Sequence, residues 1–208
     1  MSTLGGVSGG RHFERVDWHP NRVRPPDLSA WPFTVPAVAQ IIADGGFDVP
    51  PGVTFLVGEN GSGKSTLIEA LAASYPRQGH WASQGDTAGP GESDEDSGLR
   101  WHIRARRARM GSPAGFFLRA EAMHAWFAGV DADATQARAW GGGQLNARSH
   151  GESFLEVLRR RFTDIGVYFL DEPEAALSFC SCLGLVALLD TMRREGSQVV
   201  VSLPGPAR

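Results

Sequence analysis

The sequence predicts an α/β fold with a mainly parallel sheet. Short β-rich apolar segments alternate along the chain with segments whose apolar residues recur at helical spacing, and this alternation is typical of parallel sheets. The predicted strands are Val53–Val57, Phe116–Leu118, Ile165–Leu170 and a last strand that starts at Val199–Val201. The predicted helices are Pro36–Ala43, Ser65–Ala73, Glu121–Ala128, Ser153–Phe162 and Ala175–Glu195. A length of 208 residues suits one domain with a small insert.

The composition excludes several classes of protein. Hydrophobic residues make up 42% and charged residues 21%, as in globular rather than disordered chains. The net charge of −3 argues against a bulk nucleic-acid binder. Cys180 and Cys182 are too close together to link distant segments, which suits a reducing compartment. No stretch approaches about 18 apolar residues, and the N-terminus lacks an apolar signal core, so we predict a cytoplasmic protein.

Two regions interrupt the predicted core. Residues 1–30 are rich in Gly, Arg and Pro and are predicted to be irregular; the domain then runs from 31 to 208, with a helical or loop insert at about 77–148. Within that insert, residues 77–99 include an acidic run, Glu92–Asp96, and Arg100–Met110 carries five arginines. These arginines are either a phosphate-contacting patch for nucleic acid or a solvated helix face paired with the acidic run, and the second reading is favoured.

A phosphate-binding loop is predicted at Gly58–Ser65, which matches the pattern G-x-x-x-x-G-K-[ST] between a buried strand and a helix. Glycines let the backbone point successive N–H groups at phosphate oxygens, and the helix N-terminus favours anions. Lys64 is the only lysine among 20 basic residues, and a compact ammonium reaches phosphates where a planar guanidinium does so less well. Ser65 can ligate Mg²⁺. The alternative is a glycine-rich turn without function.

A pair of acids ends the predicted strand before Pro173. Asp171 is predicted to hold Mg²⁺ through its water shell, and Glu172 to polarise the attacking water as a general base. The alternative is an ordinary strand end with solvated acids.

A third motif, Ser149-His150-Gly151-Glu152-Ser153, opens a predicted helix. Ser149 and Glu152 have the spacing of a capping box, and a serine and glycine at a helix N-terminus also suit an anion.

In this order the three motifs resemble those of the ATP-binding-cassette (ABC) class of P-loop NTPases, whose signature usually reads Leu-Ser-Gly-Gly-Gln/Glu. The chain is most similar to small stand-alone bacterial ATPases of this class that are often labelled AAA-family ATPases. Four runs carry the resemblance: Gly58–Thr66, Phe116–Glu121, Ser149–Phe154 and Asp171–Ser178. The last of them includes a segment similar to the D-loop of that class.

The resemblance implies an ABC-type ATPase core that binds ATP with Mg²⁺ in a composite site. Two protomers would sandwich two ATPs, each between the phosphate loop of one and the signature of the other. Residues implied to contact ATP are Gly58, Glu59, Asn60, Gly61, Ser62, Gly63, Lys64, Ser65, Thr66, Ser149 and Gly151. Mg²⁺ would be held by Ser65 and Asp171, with Glu172 as the catalytic base. Glu121 stands where the class has its Q-loop glutamine, and Trp31 or Phe33 either stacks on adenine or belongs to the core, with the core favoured.

The C-terminal segment departs from the family pattern. A switch histidine in a Thr-His-Ser-Pro run is expected after the last strand, but the chain reads Val199–Arg208 without histidine, and Phe179 replaces a usual proline. The switch residue contacts the γ-phosphate in this class, so either hydrolysis is slow or absent, or the C-terminus is truncated.

Two functions therefore stay open: an ATPase that drives an unidentified membrane or protein partner, and a hydrolysis-impaired nucleotide-binding module. Nucleic acid is disfavoured as a partner, because no long coiled-coil insert separates Glu121 from Ser149.

Overall fold

The structure, a computed structural model, describes residues 11–75, 82–83, 97–109, 111, 114–120, 155–156, 158–159 and 164–205. Its strands are β1 (Phe13–Trp18), β2 (Gly46–Asp48), β3 (Val53–Gly58), β4 (Ala82–Ser83), β5 (Ile103–Arg107), β6 (Gly115–Arg119), β7 (Val167–Asp171) and β8 (Gln198–Pro204). Its principal helices are α1 (Pro36–Asp44), α2 (Lys64–Ser74) and α3 (Phe179–Glu195). Short 3-10 turns span Leu99–Trp101 and Pro173–Ala176.

The larger sheet has the order β3-β8-β7-β6-β4, and all its strands are parallel. All five residues of β7 are buried, as expected for a central strand covered on both faces. Alternate residues along the strands belong to two hydrophobic cores, one on each face of the sheet. Phe117, Phe169 and Val200 pack with α1 and α2, whereas Leu118 and Leu170 pack with α3. This architecture confirms the predicted α/β fold with a mainly parallel sheet.

A smaller antiparallel sheet, β2-β1-β5, was not predicted. The prediction that residues 1–30 are irregular is wrong for Phe13–Trp18, which form β1, whereas residues 19–30 contain no helix or strand. The predicted insert at 77–148 is also not simply helical or loop, because β4, β5 and β6 fall within it. Gln198 joins the two sheets: its side-chain oxygen accepts from the backbone N–H groups of His12 and Phe13, both at 2.6 Å, and its amide nitrogen donates to the Phe13 and Pro50 carbonyls.

The arginine-rich segment is a strand and not the predicted helix face. In β5 the buried Ile103 and Ala105 alternate with the exposed Arg104 and Arg106, which is the period-two pattern of a half-buried strand. The exposed arginines obscure this alternation when the segment is read as a block of charge.

The helices differ from the predictions mainly at their ends. α3 begins at Phe179 rather than at Ala175, because Ser178 caps it by accepting a hydrogen bond from the Ser181 N–H at 3.2 Å. Residues 155–156 and 158–159 are helical and lie within the predicted Ser153–Phe162 helix. The predicted Glu121–Ala128 helix lies outside the described residues. Among the described residues, no helix combines the length and apolar character that crossing a membrane requires.

Candidate functional site

The glycine-rich loop lies at the carboxyl end of β3 in the larger sheet. There β3 pairs with β8 so that Gly58 lies opposite Pro204, and the Gly205 N–H donates to the Gly58 carbonyl at 2.7 Å. Ligands of open α/β sheets bind at this edge, beyond the carboxyl ends of the strands.

The backbone of the loop requires glycine where it turns into α2. Gly63 has φ = 89°, and a Cβ atom there would lie 2.3 Å from Cγ2 of Val35, so both conformation and space exclude a side chain. Gly63 is the N-cap of α2 and gives no side-chain cap. The first hydrogen bond at the start of α2 runs from the Leu67 N–H to the Gly63 carbonyl. The N–H groups that precede Leu67 in the first turn can therefore donate hydrogen bonds to a ligand.

Lys64 joins the loop to the acidic strand end. Its side chain is only 6% exposed. The ammonium donates to the Glu59 carbonyl at 3.1 Å and lies 3.7 Å from the Glu172 carboxylate. In the same loop the hydroxyl oxygen of Ser62 is buried and has no hydrogen-bond partner among the described residues. A buried cation and an unsatisfied hydroxyl fit an anion such as phosphate.

Asp171 and Glu172 share one anchor, Ser202 of β8. The Ser202 hydroxyl donates to the Asp171 carboxylate at 2.6 Å and accepts from the Glu172 N–H at 2.9 Å. Glu172 has φ = 46°, which is unusual for a non-glycine residue, and this turn directs the chain out of β7 toward Lys64. Ser202 was not among the site residues predicted from the sequence; its one signal there is a hydroxyl that directly follows three valines in β8.

Arg119, at the end of β6, was also missed. It lies opposite Asp171 in the sheet register; its Nε contacts the Asp171 carboxylate at 3.4 Å, and its Nη2 donates to Glu69 of α2 at 2.7 Å. Burial alone would lower the pKa of Arg119, but the two carboxylates outweigh it and raise the pKa above its ordinary value. The guanidinium thus holds the phosphate-loop helix against the strand that carries Asp171.

We predict that Arg119→Met lowers the free energy of unfolding by about 2 kcal/mol, because it leaves two part-buried carboxylates without their cation. Arg119→Lys should recover part of this loss. Urea unfolding of the ligand-free chain measures it. The matched control is Arg193→Met, which breaks an exposed pair with Asp190 and should cost less than about 1 kcal/mol. Equal losses for the two methionine variants would contradict the assigned network.

Glu174 adds a third carboxylate to the site. One of its oxygens is buried without a hydrogen-bond partner among the described residues. Burial raises the pKa of Glu174, the charges of Glu172 and Asp171 raise it further, and Lys64 opposes them. The carboxylates of Asp171, Glu172 and Glu174 thus lie close enough to influence one another, with Lys64 as a nearby cation.

A magnesium ion fits this part of the site only together with phosphate oxygens. In the described part of the chain no group of three or more His, Cys, Asp and Glu side chains is arranged to hold a metal alone. The donors here are a serine hydroxyl in the first turn of α2, Ser65, and the Asp171 carboxylate. Mg²⁺ in phosphate sites takes one or two protein oxygens and completes its shell with water and phosphate, so the donor set is suitable.

We predict that Glu174→Gln stabilises the ligand-free chain at pH 8. The folded state disfavours ionisation of Glu174, so its raised pKa makes stability fall as pH rises above the ordinary carboxyl range. The gain should shrink as the pH is lowered to 4.5, the ordinary value, because the wild-type carboxyl regains its proton on the way. Urea midpoints at the two pH values test this, with Glu195→Gln at the end of α3 as control. A gain that is independent of pH would contradict the assignment.

Of the other predicted site residues, some belong to the described part of the chain and others do not. Gly58, Glu59, Asn60, Gly61 and Ser62 form the loop, and Ser65 and Thr66 the first turn of α2. Ser149, Gly151 and Glu121 lie outside the described residues.

The two aromatic candidates differ in exposure. Phe33 is buried and packs edge-on against Trp18 and His102, so it is a core residue. Trp31 is 58% exposed and stays a candidate for stacking on a base.

Comparison with known proteins adds a family match for the loop region. The family model described as an AAA domain matches residues 40–75, which include β3, the loop and α2. No curated protein matches the sequence.

Solved structures are similar at low identity. One is a chain described as a metal-chelate type ABC transporter in an inward-facing conformation: identity is 22%, the TM-score is 0.38, and the match covers 76% of this chain and 64% of that one. This chain therefore spans less than two thirds of the transporter chain. Another is the SMC head domain from Thermotoga maritima: identity is 15%, the TM-score is 0.45, and coverage is 92% and 89%. The phosphate loop between β3 and α2, the parallel sheet and the AAA-domain match together define an α/β fold of the P-loop NTPase type.

Proposed function

We propose that this protein binds Mg-ATP at the loop Gly58–Thr66 and hydrolyses it to ADP and phosphate, and that two copies form the complete site. The observation that carries the proposal is the position of Lys64, which is buried between the Glu59 carbonyl and the Glu172 carboxylate. This position supports the proposal because a cation lies beside the proposed base and next to the proposed phosphate-binding loop. ATP is preferred over GTP because the base-recognition motif of GTPases, Asn-Lys-x-Asp, cannot occur with the single lysine at Lys64.

Binding would use groups that are already in place. The N–H groups at the start of α2, the Ser62 hydroxyl and the Lys64 ammonium would meet the phosphate oxygens. Ser65 and Asp171 would hold Mg²⁺, which neutralises phosphate charge during transfer. Ser202 and Arg119 orient Asp171, since both donate to its carboxylate.

Hydrolysis would use Glu172. Its carboxylate is about one-third exposed and faces Lys64, whereas its backbone is fixed by Ser202. When a phosphate oxygen contacts the Lys64 ammonium, the Glu172 carboxylate no longer needs to balance that charge. It can then accept a proton from the attacking water as a general base.

The resemblance to ABC-type ATPases supports a site that is completed by a second protomer. Ser149 and Gly151 of one copy would contact the ATP held by the other. The assembly would in turn drive a membrane or protein partner.

Mixing two inactive variants tests the composite site. In a Lys64→Ala and Ser149→Ala mixture, a heterodimer keeps one intact site, because Lys64 of one copy faces Ser149 of the other. Turnover should recover to about one quarter of the wild-type rate after random exchange between symmetric dimers. The control is Lys64→Ala mixed with Glu172→Gln, which damages both sites of the heterodimer and should not recover. Absence of recovery in the first mixture would contradict a shared site.

A second candidate function, a nucleotide-binding module with impaired hydrolysis, is favoured by one observation. Leu203 follows Ser202 in β8 and lies opposite Val57, one residue before the loop. An apolar side chain thus stands near the position expected for the switch histidine. If this residue limits hydrolysis, Leu203→His should raise phosphate release at unchanged ATP affinity. An unchanged rate would remove the argument for this candidate.

A further inference from the structure

A second concave site lies at the opposite end of α2 from the phosphate loop. This basic cleft, of about 450 Å³, is lined by His19, Ser74, Arg100, Trp101 and Arg104 together with small or apolar neighbours. Its volume is within the range of ligand-binding clefts. None of the described residues that line it is acidic.

Arg104 of the basic cleft differs from four other arginines of the described residues in the group that it contacts. Arg15, Arg106, Arg193 and Arg194 each contact an aspartate. Arg104 instead donates to Nε2 of His19 at 3.0 Å. A guanidinium has no acceptor, so in this contact the imidazole nitrogen accepts. The contact partner of Arg104 is therefore not an anion, and Arg104 brings its positive charge to the cleft.

An aromatic surface accompanies this charge. The Trp101 side chain is 51% exposed, and the Arg100 guanidinium lies 4.7 Å from its ring centroid. A half-exposed indole next to cations is the combination on which proteins stack unpaired bases while they neutralise the adjoining phosphates. A duplex does not offer a free base face, and an acidic peptide would gain little from the indole.

The basic cleft is separate from the proposed ATP site. Ala73 and Ser74 line it at the end of α2, whereas Lys64 begins that helix. At 1.5 Å per residue the two ends are about 15 Å apart, so phosphates held at Lys64 do not occupy the cleft.

We propose that the basic cleft binds single-stranded nucleic acid, with one base stacked on Trp101 and a neighbouring phosphate at Arg104. The overall charge of −3 does not oppose this, because the charge that meets the strand is local.

Fluorescence anisotropy with a labelled oligothymidylate of about 12 nucleotides and the full chain tests the proposal. Trp101→Ala should weaken binding by about 5- to 100-fold, since stacking accounts for most of this contact, and Trp101→Phe should restore part of it. Arg104→Gln should weaken binding and reduce the slope of log affinity against log salt by about 0.7. The matched control, Arg106→Gln, makes the same change on the same strand at a residue that contacts Asp17, and should stay within about twofold of wild type.

Three results would overturn the proposal: no binding of the oligonucleotide by wild type at low salt, equal losses for Arg104→Gln and Arg106→Gln with none for Trp101→Ala, or equally strong competition by polyglutamate of the same length. Lys64→Ala provides an independent check, because it should retain oligonucleotide binding even though it impairs ATP binding. A failure of the cleft is therefore distinguishable from a failure of the proposed ATPase.

Discussion

Lys64→Ala is expected to weaken Mg-ATP binding by about 30- to 1,000-fold, which corresponds to roughly 2–4 kcal/mol for truncation of one partner of a buried charged contact. The effect should be large because Lys64 is almost fully buried beside the loop and no other lysine exists in the chain to replace it. Titration calorimetry of the full chain with Mg-ATP measures the change.

A control for this variant is Arg193→Ala, which removes a surface cation of α3 and should leave ATP affinity within about twofold. Lys64→Arg separates charge from shape: a planar guanidinium in the space of an ammonium should restore only part of the affinity. Wild-type affinity in Lys64→Ala would contradict the assignment of the phosphate loop.

Glu172→Gln is expected to preserve Mg-ATP affinity and to reduce phosphate release by about 10²- to 10⁴-fold, the usual contribution of a positioned general base. The amide retains the size of the carboxylate but cannot accept the proton. Phosphate release at saturating Mg-ATP, with affinity measured on the same sample, gives both values.

Glu174→Gln is the matched control for Glu172→Gln. It makes the same chemical change two residues further along, at a carboxylate that adds to the local charge without a proposed role in proton transfer. Its rate should stay within about tenfold of wild type, because it alters only the local field. Equal losses in the two variants would show that local charge, and not a base at Glu172, controls the rate.

Sequence patterns predicted the parts of the fold in which local signals agree. β3, the loop and α2 follow one another within about twenty residues, and a β-rich strand, glycines, a lysine and a helical segment all indicate the same unit. β7 was equally clear, because the apolar run Val167–Leu170 ends abruptly at Asp171, and all five residues of the strand are buried in the structure.

The smaller sheet was missed because its exposed face is made of ion pairs. Arg15 contacts Asp17 and Asp48, and Arg106 contacts Asp17 across β1 and β5. Read along the chain, these charges indicate loops or a solvated helix. Their partners are brought together only by antiparallel pairing, which no local pattern specifies.

The supporting residues of the site were missed for a similar reason. Arg119 and Ser202 contact the predicted Asp171 from two strands that are far apart in sequence but flank β7 in the sheet order β6-β7-β8. Motif spacing finds residues that act within one loop, such as Lys64, but not residues whose role depends on strand order. The left-handed backbone of Glu172 likewise depends on its contact with Ser202.

The most direct test of the central claim is steady-state phosphate release from Mg-ATP by the purified chain, measured over a range of protein concentrations. We expect release that is lost in Glu172→Gln and a rate per chain that rises with concentration as dimers form. A folded wild-type chain that releases no phosphate at any concentration would contradict it.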